Sequence, residues 1–172
     1  MNIDQNEVTK FAEQADKWWD KEGDFKPLHK INPLRAGYIN DIVNLENKKF
    51  LDVGCGGGIL TEAIFDKGAF VTGIDAAGPG IETARIHAKK NSKNINYIVG
   101  TAEEFYEKND DRFDVVSCLE VLEHVPDPKS LIDVCTKLLK PGGDLFLSTI
   151  NKNPRSWVTA IVGAEYIFKI LP

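Results

Sequence analysis

The chain of 172 residues carries 21 Lys and Arg against 26 Asp and Glu, a formal net charge of -5, and 42% of its residues are hydrophobic. That length suits one domain with a substantial core, and the acidic balance argues against a nucleic-acid partner. Cys55, Cys118 and Cys135 lack zinc-ligand spacing and read as reduced structural thiols, while the absence of a basic-then-apolar leader or a long apolar run reads as a cytoplasmic protein.

Residues 6–20 show helical spacing, with Val8, Phe11, Ala15, Trp18 and Trp19 on or near one face. Residues 25–33 read as irregular, after which Asn32 caps a second helix with Pro33 at its first position. Both helices are expected to lid the cleft of the sheet that follows. Strands near 49–53, 70–74, 95–99, 113–118 and 143–150 then alternate with helices near 58–67, 79–90 and 128–139. Such alternation specifies an α/β fold with a parallel, doubly wound sheet. Pro141-Gly142-Gly143 is expected to stop the last of these helices and open the fifth strand. The tail at 157–171 is apolar but too short to span a bilayer, and a final helix on the sheet is favoured over contact with a membrane or a prenyl chain.

The first strand runs into Asp52-Val53-Gly54-Cys55-Gly56-Gly57-Gly58, a glycine-rich turn at a strand-to-helix junction. Glycine there permits both close ligand approach and backbone conformations closed to other residues. A dinucleotide fingerprint needs a sixth-position glycine, and Ile59 stands there instead. The remaining D-x-G-x-G-x-G pattern resembles motif I of the Rossmann-like class I methyltransferases that use S-adenosylmethionine. That resemblance places Asp52 near the cationic methionine end of the cofactor, with Gly54 and Gly56 in the cradle. The second strand ends at Asp75, about 20 residues after the first glycine, where a carboxylate can accept both ribose hydroxyls. A turn or helix-cap role is the bland alternative.

The fourth strand delivers Glu120-Val121-Leu122-Glu123-His124 at its carboxyl end, where open α/β sheets bind ligands. Glu120, Glu123 and His124 stand at i, i+3 and i+4, so one helical turn would put two carboxylates and an imidazole on a shared face able to hold magnesium or another divalent cation. Equally, Glu123 or His124 can hydrogen-bond substrate or a helix end. Without a metal, His124 is the natural general base.

Three further segments carry a closer resemblance: Trp18-Trp19-Asp20, the run from Phe25 to Arg35, and Val162-Gly163-Ala164-Glu165-Tyr166-Ile167. From about residue 8 to Pro172 the chain resembles the ubiquinone-biosynthesis O-methyltransferases, which methylate 3-demethylubiquinol and the earlier polyprenyl catechol. The resemblance implies cofactor contacts from Arg35, Gly54, Asp75 and Leu119, and magnesium on Glu120, Glu123 and His124. It also implies a prenylated catechol or quinol substrate, peripheral association with the inner face of the membrane, and membership of a ubiquinone-biosynthesis complex. The expected organisation is a single domain over 1–172, with lid helices in 1–47, an α/β core in 48–151 and an apolar helix in 152–172. Methylation of another small molecule, a non-catalytic cofactor-binding subunit and a nicotinamide-dependent oxidoreductase are the alternative readings.

Methyltransferases of this class place two more strands beside the fifth, and the sequence has no residues for them. An uncovered edge strand pairs readily, so self-association is expected. Sedimentation velocity over a range of loading concentrations checks this; a monomer at every concentration counts against it.

Overall fold

The computed structural model describes residues 2–149, and the expected apolar helix over 152–172 lies outside them. Five strands form one parallel sheet in the order β3-β2-β1-β4-β5. They are β1 (Lys49–Val53), β2 (Phe70–Asp75), β3 (Asn96–Val99), β4 (Phe113–Leu119) and β5 (Leu139–Ser148). Six α-helices accompany them: α1 (Gln5–Glu13), α2 (Lys26–Val43), α3 (Ile59–Phe65), α4 (Gly78–Lys90), α5 (Ala102–Lys108) and α6 (Pro128–Lys137).

Alternation along the strands divides the core between the two faces of the sheet. Phe50, Val71 and Val115 pack with Ala36, Ile39 and Ile64 of α2 and α3, and Ile81, Ala84 and Ala88 of α4 form a neighbouring cluster with Tyr97. Leu51, Val53, Val116 and Cys118 point the other way, onto Phe105 of α5 and Leu131, Val134 and Cys135 of α6. All three cysteines are buried and free. Among the described residues no helix is long and apolar enough to cross a membrane.

Several expected boundaries move, each for a local reason. The first helix ends at Glu13, where the N–H of Gln14 turns back onto Phe11 and Ala12, and a short 3-10 turn at Ala15–Lys17 follows. That break frees Trp18 and Trp19 from the helix face, so that Trp19 donates its indole N–H to the Gly57 carbonyl at 2.9 Å. The second helix begins at Lys26, with Pro27 in its first turn, and carries Pro33 in its interior. Pro27 therefore fills the role expected of Pro33. Asn32 does not cap; it donates to the Ile59 carbonyl at 3.0 Å and ties α2 to α3.

At the far end, α6 stops at Lys137 and β5 starts at Leu139, so Pro141-Gly142-Gly143 lies within the strand. Pairing runs from Phe113↔Leu139 to Val115↔Asp144, two steps on β4 against five on β5, and Gly142 at φ +79° accommodates the bulge. Helix α5 is an element that hydrophobic periodicity did not disclose. It starts with a capping box: the Glu104 N–H donates to Thr101 Oγ1 at 3.2 Å, and the Thr101 N–H donates to Glu104 Oε2 at 3.4 Å.

Thr101→Ala removes that cap and is expected to lower unfolding stability by about 1 kcal/mol, read from urea denaturation.

Candidate active site

The glycine-rich turn is pinned to the end of β2. The N–H groups of Gly54 and Cys55 donate to the Ile74 carbonyl at 2.8 and 3.1 Å, and the Gly56 N–H donates to Asp75 Oδ2 at 2.8 Å. Gly54 (φ +73°), Gly56 (φ +51°) and Gly58 (φ +83°) all adopt left-handed conformations. Space adds a second demand: a Cβ on Gly54 would lie 2.3 Å from Val121 Cγ2, and one on Gly56 would lie 2.4 Å from Trp18 Cη2.

Above this turn, at the carboxyl ends of β1, β2 and β4, lies a cavity of about 300 Å³. Its walls bring together Arg35, Asp52, Gly54, Gly56, Asp75 and Leu119, joined by Glu120 and His124. Both N-terminal helices reach it, α1 through Glu7, Val8 and Phe11, and α2 through Leu28, Asn32 and Arg35. Trp18 and the Thr101–Glu103 segment at the start of α5 also line it. The T-x-x-E capping signature could have marked the latter in advance. Nothing in local periodicity marks Glu7.

Asp75 holds the Gly56 N–H on one oxygen and the Ala77 N–H on the other, at 2.7 Å. It thus orders the turn while bordering the cavity, and burial raises its pKa despite both hydrogen bonds. Asp52 is 3% exposed and faces Ser117 directly across the β1–β4 register. Ser117 Oγ and Thr61 Oγ1 each donate to it at 2.7 Å. Desolvation pushes its pKa up to about 6, with the two hydroxyls opposing the shift.

The acidic segment after β4 differs from the expected helical face. Glu120 leaves the strand at φ +58°, a left-handed conformation that costs a non-glycine residue about 1 kcal/mol or more. The 3-10 turn Leu122–His124 begins only afterwards, so the three side chains diverge. Glu120 Oε1 accepts from Arg35 Nη2 at 3.1 Å and Ser148 Oγ at 2.6 Å. Glu123 Oε2 accepts from Thr149 Oγ1 at 2.9 Å, its other oxygen is buried without a partner, and Glu123 does not line the cavity. His124 pairs instead with Glu7. Among the described residues no three His, Cys, Asp or Glu side chains are grouped to hold a metal ion. Glu120, Glu123 and His124 as arranged do not fit the expected cation.

Residues 51–147 match the methyltransferase domain family. The same fold occurs in the crystal structure of magnesium protoporphyrin IX methyltransferase from Synechocystis PCC 6803 with bound SAH, at a TM-score of 0.72 and 20% identity over 95% of this chain and 80% of that one. The fold and this domain define a Rossmann-like class I methyltransferase. A protein of Saccharophagus degradans strain 2-40 named ubiquinone biosynthesis O-methyltransferase is 54% identical across all of this chain, which spans 73% of that protein. A protein of the same name from Escherichia fergusonii is 51% identical over 99% of this chain and 72% of its own length. The chain belongs to the ubiquinone biosynthesis O-methyltransferase family.

The raised pKa of Asp52 has a thermodynamic signature. Its folded value lies above the unfolded one, so its stabilising contribution is present below about pH 4 and is lost as pH rises to about 6. The loss is about 3 kcal/mol. The wild type is therefore expected to lose stability relative to Asp52→Asn between pH 4 and 7, measured by urea unfolding at each pH; a constant difference across that range would overturn the assignment.

Proposed function

We propose that this chain transfers a methyl group from S-adenosylmethionine to a hydroxyl of a catechol-type polyprenyl precursor of ubiquinone. The observation that carries the reading is the single cavity in which the glycine turn, Asp52, Asp75 and His124 meet. The glycine cradle fits the cofactor because side chains there would collide with Val121 and Trp18, leaving room only for bare backbone beside a ligand. Asp75 is the group to accept the ribose hydroxyls, since each of its oxygens has spent only one acceptor position on the turn. Arg35 offers the cationic partner for a carboxylate, and Leu119 an apolar wall.

When bound, S-adenosylmethionine supplies an electrophilic methyl on a sulfonium centre. Asp52 favours positive charge in its neighbourhood, and a bound cation would draw its carboxyl back toward the ionised form that the empty site disfavours. A catechol hydroxyl resembles a phenol with a pKa of about 10, so a base is needed near neutral pH. His124 is the imidazole on the cavity wall and takes that proton. No step is routed through a divalent cation. An apolar prenyl tail would hold the substrate at a membrane, and Ile31, Leu34, Tyr38 and Ile42, exposed on α2, support peripheral contact with its inner face. Association with other enzymes of the same biosynthesis belongs to this reading as well.

Calorimetric titration of S-adenosylhomocysteine into the chain tests the cofactor site. Micromolar binding is expected, unchanged by magnesium and weakened about tenfold or more in Asp75→Asn, which keeps an acceptor oxygen for the turn. A folded chain that binds nothing, or an Asp75→Asn variant that binds as tightly as wild type, would sink the assignment.

A further inference from the structure

His124 Nδ1 lies 2.7 Å from Glu7 Oε2, a contact between residues 117 positions apart. A carboxylate can only accept, so the imidazole proton resides on Nδ1 and Nε2 keeps its lone pair. Phe11, one turn beyond Glu7 on α1, meets the same ring edge-on, with centroids 5.2 Å apart and planes at 89°. Helix α1 thus constrains both the tautomer and the plane of the imidazole. Glu7, Phe11 and His124 all border the cavity. The other oxygen of Glu7 has only a long 3.9 Å ion pair with the exposed Lys10, so its firm partner is the histidine.

We propose that Glu7 is the positioning residue for His124, holding it in the Nδ1–H form so that Nε2 receives the proton of the substrate hydroxyl. This rests on the reading of His124 as the base. As the hydroxyl oxygen bonds to the methyl carbon, the S–C bond breaks to leave a neutral thioether. The O–H proton passes to Nε2. The resulting imidazolium is balanced by the Glu7 carboxylate, and its extra proton leaves to solvent after turnover. The segment that spacing assigned to a metal therefore has a different use for its histidine.

The chain has only three histidines, so long-range 1H–15N spectra with single His→Gln variants assign each imidazole. His124 is expected in the Nδ1–H form in wild type and in Glu7→Gln, whose amide oxygen still accepts. In Glu7→Ala it should shift toward the other tautomer. With a catechol acceptor, Glu7→Ala should lower kcat about tenfold to a hundredfold, with S-adenosylhomocysteine affinity unchanged, and Glu7→Gln should recover part of that loss. In a His124→Ala background, Glu7→Ala should have no further effect. Unchanged kcat in His124→Ala defeats the base itself. A lowered kcat in His124→Ala, combined with an unmoved tautomer in Glu7→Ala, defeats only the role of Glu7, as does an additive double variant. The tautomer measurement stands without turnover, and retained S-adenosylhomocysteine binding certifies that each variant is folded.

Discussion

Strand β1 lies between β2 and β4, and the chain leaves it toward one face of the sheet and leaves β4 toward the other. In a parallel sheet this reversal of direction opens a crevice at the carboxyl ends of the strands, because no crossover helix covers both sides of the gap. The cavity occupies that crevice, and its floor consists of strand ends and the turn that follows β1. Side chains on the strands are consequently held by the ladder itself. Asp52 and Ser117 meet because they are register partners, and Asp75 reaches Gly56 because β2 ends beside the turn.

The cost of the site is concentrated in its acids. Asp52 is removed from water and compensated only by two hydroxyl donors, while Asp75 uses its carboxylate to fasten a turn whose glycines are held in left-handed conformations. Glu120 occupies such a conformation without being glycine, and its compensation is the paired donation from Arg35 and Ser148. A pocket that concentrates carboxylates near its floor is suited to a cationic ligand, which offsets part of the desolvation that the protein bears alone. Stability forgone at these positions is thus linked to the charge of the molecule the family uses.

Every histidine in the chain touches the N-terminal segment. His29 donates Nε2–H to the Trp18 carbonyl at 2.8 Å, His87 stacks on Trp19 with centroids 3.4 Å apart, and His124 holds Glu7. Beneath His87, the nearly buried Glu62 accepts from Nδ1 at 2.6 Å and pairs with Lys93 at 3.4 Å. Aromatic stacking and polar contacts, rather than a continuous apolar interface, join this wall to the body. None of the residues of α1 is buried, so the apolar spacing that betrays its helical character reflects a face turned partly toward a cavity.

The strands, the glycine turn and the acid that ends β2 are legible along the chain because they depend on local signals: alternation, runs of β-branched residues, and conformations that only glycine adopts cheaply. The placement of Pro33 misled because two prolines competed for one helix start, and Pro141-Gly142-Gly143 misled because a bulge and a strand boundary share the same residues. The acidic segment was the least legible. Its spacing is that of a helical turn, yet Glu120 bends away in a left-handed conformation, and the partners that claim Glu120 and His124 stand 85 and 117 positions earlier. Local order therefore settled where the nucleotide-type cleft would form. Only the folding of α1 and α2 over that cleft decided what its acids and its histidine face, because those contacts join residues whose separation leaves no periodic trace.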